Sequence, residues 1–65
     1  MSDFEEAFGL VKKFFDGDHH KAMLWMVEKN PMLGGVSPRE MLFIGRGDKL
    51  LQFIKEALSE NEPGK

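Results

Sequence analysis

Apolar residues in the first part of the chain recur at intervals of three and four, the spacing that places side chains on one face of an α-helix. The residues with this spacing are Phe4, Phe8, Val11 and Phe15, with Phe14 beside them. Ser2 and Glu5 stand at the positions of a capping box, in which each side chain bonds the other residue's backbone N–H. Gly17 suits the left-handed conformation that often ends a helix. The pattern predicts a first helix from about Ser2 to Asp16.

A second helix is predicted from Asp18, a good N-cap, through His19 to about Lys29. Its centre, residues 22–27, is a run of six apolar residues. Such a run also fits a short buried strand, but its Ala, Met and Leu residues favour a helix. A continuous run makes a helix apolar on all sides, so we expect this to be the central helix of the fold. Because a residue before proline avoids the helical region, the helix should end before Asn30.

A second capping box predicts the third helix, with Ser37 as N-cap, Pro38 at the first helical position and Glu40 completing the box. Gly45 should end this helix after two turns. The residues expected to face inward are Met41, Leu42 and Ile44. The sequence therefore supplies both the start and the end of a short third element.

Asp48 is expected to cap a last helix that ends near Ser59. Its apolar stripe consists of Leu50, Leu51, Ile54, Ala57 and Leu58. Residues 60–65 are polar and contain Pro63-Gly64, so we expect a flexible C-terminal tail. The fold prediction is one all-α domain over residues 1–65, a compact bundle of about four short helices.

Composition narrows the class of protein. The chain has 65 residues, no cysteine, 42% hydrophobic and 31% charged residues, and a net charge of −2. These values fit a small globular domain and exclude disulfides and cysteine-ligated metal sites. A DNA-binding domain usually carries a basic surface, which an acidic chain does not favour. No apolar stretch approaches the length of about 20 residues that spans a bilayer, and the acidic N-terminus is unlike a signal peptide. We expect a cytoplasmic protein.

Residues that could carry chemistry are few. His19 and His20, flanked by Asp16 and Asp18, are the one cluster with metal-ligand residue types. Adjacent helical side chains diverge by about 100°, whereas two ligands of one ion need a spacing of three or four. No serine–histidine–acid set or paired carboxylates stand out. The prediction is a protein without catalytic residues, metal or cofactor.

Residues 30–35, Asn-Pro-Met-Leu-Gly-Gly, form the most distinctive loop. They lack the glycine spacing and the Lys-Ser/Thr ending of a phosphate-binding loop. Two interpretations stay open: Leu33 enters the core while Gly34 and Gly35 permit positive φ, or the loop is exposed and offered to a partner.

Trp25 and the methionines leave a similar choice between core and interface. Four methionines are expected to fill gaps in the core: Met23, Met26, Met32 and Met41. An exposed patch of Trp or Met would instead mark a protein interface. The chain has more apolar residues than so small an interior needs, so some of these side chains can remain at the surface.

The stretch from Ala22 to Leu51 resembles the toxin-binding domain of the Xre/MbcA/ParS antitoxin family. The resemblance is carried by Ala22 and Trp25, then by Asn-Pro-Met-Leu-Gly-Gly-Val-Ser-Pro at residues 30–38, and after a short helix by Gly45-Arg46. The spacing Asn-Pro-x-Leu-Gly-Gly-x-Ser-Pro is its most specific part. With the flanking helices, the similarity extends over the whole chain.

The resemblance implies a prokaryotic type II antitoxin domain that binds and blocks a partner toxin of the RES class, an NAD-consuming enzyme. It places the partner-binding surface around the loop and the last helix. The residues expected to take part are Asn30, Leu33, Gly34, Gly35, Arg46, Lys55 and Lys65, the two lysines because basic residues near the C-terminus of some members reach the toxin's active site.

Most family members also carry an N-terminal helix-turn-helix region that binds DNA. Only about twenty residues precede the Trp25 helix here, so we expect no DNA binding by this chain. Two alternatives remain open: an adaptor of a phage or mobile element with another partner, and a metal- or nucleotide-binding enzyme fragment. Self-association is also left open.

Overall fold

A computed structural model of the chain describes residues 2–60 and contains four α-helices over that range. They are α1 (Asp3–Phe14), α2 (His19–Val27), α3 (Pro38–Phe43) and α4 (Gly47–Glu60), with a 3₁₀ turn at Pro31–Leu33 between α2 and α3. Within these residues the only β-type pairing is an isolated bridge between Asn30 and Val36. The prediction of an all-α bundle is therefore confirmed. None of the described helices is both long and apolar enough to cross a bilayer.

Both predicted capping boxes are present. The backbone N–H of Glu5 donates to Ser2 Oγ over 3.2 Å, and the backbone N–H of Ser2 donates to Glu5 Oε1 over 3.2 Å. At α3 the corresponding distances between Ser37 and Glu40 are 3.0 and 2.8 Å. Asp18 caps α2 by accepting the N–H of Lys21 over 3.0 Å. These local bonds fix where three of the helices begin.

The core forms where α1 packs against α2 and α4, and α3 packs against both α2 and α4. The fully or nearly buried apolar residues are Ala7, Val11, Ala22, Met26, Met41, Leu50 and Ile54. Each helix contributes one or two of them, which explains why the short elements depend on one another for stability.

The prediction that α2 is the central helix is wrong. Of its apolar run only Ala22 and Met26 are buried, while Met23, Leu24 and Val27 are exposed. The helix also ends at Val27 rather than near Lys29, because Glu28 already has an extended backbone. Its neighbours α1 and α3 do not enclose it, so one side of an all-round apolar helix is left open.

Two of the four methionines do not fill the core as expected. Met26 and Met41 are buried, but Met23 lies on the open side of α2, and Met32 at the loop tip is 76% exposed. On the first helix Phe4 and Phe8 share one face as predicted, with stacked rings whose centroids are 5.8 Å apart, and Phe4 is partly exposed.

Three expectations at the chain's second half are corrected. Ile44 does not face inward: α3 ends at Phe43, and Ile44 as its C-cap is 59% exposed. Asp48 is not the cap of α4, which begins at Gly47, so Asp48 lies in the first turn. The reason is the tight reversal at Gly45, with a φ of 82°, which lets Arg46 bond back to α3 and start the next helix at once. Glu60 belongs to α4, and the rest of the predicted tail, residues 61–65, lies outside the described residues.

Candidate partner-binding surface

The loop between α2 and α3 is closed by four hydrogen bonds that all involve Asn30. Its N–H donates to the carbonyl of Val36 over 3.0 Å, and its carbonyl accepts the N–H groups of Leu33 and Gly35 at 2.9 and 3.0 Å. Its side-chain Oδ1 accepts the N–H of Met32 over 2.9 Å, which caps the 3₁₀ turn. Asn30 is therefore the residue that determines the shape of the loop.

Gly34 and Gly35 allow the chain to turn back toward Val36. Their φ angles of 80° and 86° lie in the left-handed region, which other residues rarely adopt. A Cβ at either position would meet no atom within 4 Å, so the backbone conformation, not space, selects glycine there. The loop thus needs two consecutive glycines to close.

The structure places part of this loop against the core and part at the surface. Leu33 is half-buried and packs against the core cluster. Met32 and both glycines are exposed. The loop is consequently anchored by one apolar side chain and presents the neighbouring one to solvent.

An apolar groove lies beside the loop, between α1, α2 and α4, with a volume of about 150 Å³. It is lined by Val11, Phe14, Phe15, Trp25, Asn30, Phe53, Ile54 and Ala57. Trp25 is half-buried: it packs against the core and also forms part of the groove wall. Core and interface roles therefore do not exclude each other for Trp25.

The sequence did not reveal this groove. Its walls come from segments far apart in the chain, and Phe53 lies outside the stripe that was predicted to face the core. The sequence feature that could have indicated the groove is the pair Phe14 and Phe53, two large aromatic residues that are not members of the predicted apolar stripes. Only the packing of α1 against α4 brings them to one site.

The predicted basic residues do not all join the loop. Lys55 Nζ lies 3.5 Å from Glu6 Oε2 of α1. Lys55 also lines a separate shallow depression on α4 together with Asp48 and Gln52. Arg46 is exposed in the α3–α4 turn, and Lys65 lies outside the described residues. The structure thus groups Asn30, Leu33, Gly34 and Gly35 in one loop, whereas Lys55 belongs to another surface.

Glu40 contacts residues at both ends of the loop, Ser37 on the α3 side and Lys29 on the α2 side. It accepts the N–H of Ser37, a buried residue, and its Oε1 lies 3.8 Å from Lys29 Nζ. The bonds from Ser37 and the nearby Lys29 ammonium lower the pKa of the Glu40 carboxyl. The charged form of Glu40 is therefore the one that the folded loop favours.

The histidine pair lies at the surface, at the start of α2. The rings of His19 and Phe8 pack nearly perpendicular to each other, with centroids 5.0 Å apart. Across the described part of the chain no group of three or more His, Cys, Asp or Glu side chains is arranged to hold an ion. The two exposed histidines begin α2, and Asp18 rather than a histidine caps it.

Comparisons with known proteins leave the family open: no family model matches the sequence, and no similar curated protein or solved structure was found.

Proposed function

We propose that this chain is a non-catalytic protein-binding module, an antitoxin-like domain that binds a RES-type, NAD-consuming toxin and blocks its active site. The observation that carries the proposal is the closed loop built on Asn30, next to the Trp25 groove. The loop contains the Asn-Pro-x-Leu-Gly-Gly-x-Ser-Pro stretch by which the sequence resembles the toxin-binding domain.

Occlusion of an active site requires a rigid surface with a few anchoring contacts. The four hydrogen bonds of Asn30 hold the loop in one shape, which reduces the ordering cost of binding. In this proposal Asn30, Gly34 and Gly35 shape the loop, and Leu33 anchors it to the core. The direct contacts come from Met32 at the tip and from a toxin side chain that enters the groove.

Arg46 has a supporting role. Its guanidinium is exposed and can form a bidentate bond to a carboxylate or phosphate of the toxin. Lys55 would have to leave Glu6 to do the same, at small cost because exposed ion pairs contribute little. For the last residues, deletion of 61–65 should leave the melting temperature almost unchanged and weaken neutralisation if Lys65 reaches the toxin.

The proposal is tested by co-expressing the chain with a RES-type toxin and scoring cell survival. Phe14→Glu, which places a charge in the groove, should abolish rescue, and so should Met32→Asp. Phe4→Glu is the matched control for Phe14→Glu, since Phe4 and Phe14 lie on the same helix and are 41% and 42% exposed. Arg46→Ala should weaken binding about 5- to 30-fold, the loss of one charge-assisted bond.

The outcome also separates the proposal from the adaptor alternative. Full rescue by both Phe14→Glu and Met32→Asp would place the binding surface elsewhere. No rescue by the unaltered chain, together with capture of a partner of another class, would favour an adaptor.

A cytoplasmic location and the lack of specific DNA binding are further predictions. The second is tested by a gel shift with the promoter of the gene that encodes this chain.

A further inference from the structure

We draw no further inference here: the strongest candidate, the apolar groove of about 150 Å³ between α1, α2 and α4, belongs to the surface already proposed to bind a partner, and nothing in the structure shows a different occupant for it.

Discussion

Replacement of Met26 by alanine tests whether the core lies where the four helices meet. Met26 has no exposed surface, and it belongs to the single cluster of buried residues that α1, α2, α3 and α4 share. Removing a buried methionine side chain costs about 2–5 kcal/mol in free energy of unfolding. A chain of 65 residues has a total stability of about 3–10 kcal/mol. Met26→Ala should therefore bring the protein close to unfolding at room temperature.

Met32→Ala is the matched control, since it removes the same atoms from an exposed position. Its effect should stay within about 0.5 kcal/mol, as for other surface substitutions. Urea unfolding followed by far-UV circular dichroism measures both variants, and one protein concentration must be used because self-association adds to apparent stability. Equal costs for the two variants, or a cost below about 1 kcal/mol for Met26→Ala, would contradict the core described here.

Three further predictions concern the loop, two glycines and one carboxyl. Asn30→Ala should cost about 1 kcal/mol in free energy of unfolding, because the Met32 N–H loses its side-chain acceptor, whereas Asn30→Asp should cost less; urea unfolding compares them. Gly9→Ala should stabilise the chain by about 0.5–1 kcal/mol, since Gly9 is inside α1 with open space around it. Gly35→Ala should destabilise the chain by about 1–2 kcal/mol, because Gly35 has a positive φ. In thermal melting the first variant should therefore raise the melting temperature and the second should lower it. The Glu40 carboxyl has a lowered pKa, so its contribution to stability is complete above the ordinary pKa and is lost as pH falls through the lowered one. Glu40→Gln should remove that part of the acid dependence, and unchanged pH curves would show that Glu40 does not contribute.

The sequence predicted best what depends on neighbouring residues. The capping boxes at Ser2 and Ser37 need only a partner three residues away, and both formed as expected. The extended backbone of Asn30 before Pro31 and the left-handed glycines follow from backbone sterics. Local rules therefore located the helices within a few residues at their ends.

Burial and neighbours across the fold could not be predicted in the same way. The periodicity of α2 does not reveal that α1 and α3 would cover only Ala22 and Met26. The pairing of Lys55 with Glu6 depends on the packing of α1 against α4. The groove brings Trp25 of α2 and Phe53 of α4 together because both helices pack against α1. Each of these features requires the tertiary arrangement, which a single sequence does not specify by pattern.

The most direct test of the proposed function is the NAD consumption of the purified RES-type enzyme during titration with this chain. An antitoxin-like module should reduce the activity in proportion to the chain added, until it is abolished at a fixed stoichiometric ratio. Phe4→Glu should titrate like the unaltered chain, and Phe14→Glu should inhibit only at much higher concentration. Undiminished NAD consumption with the chain in excess would contradict the account.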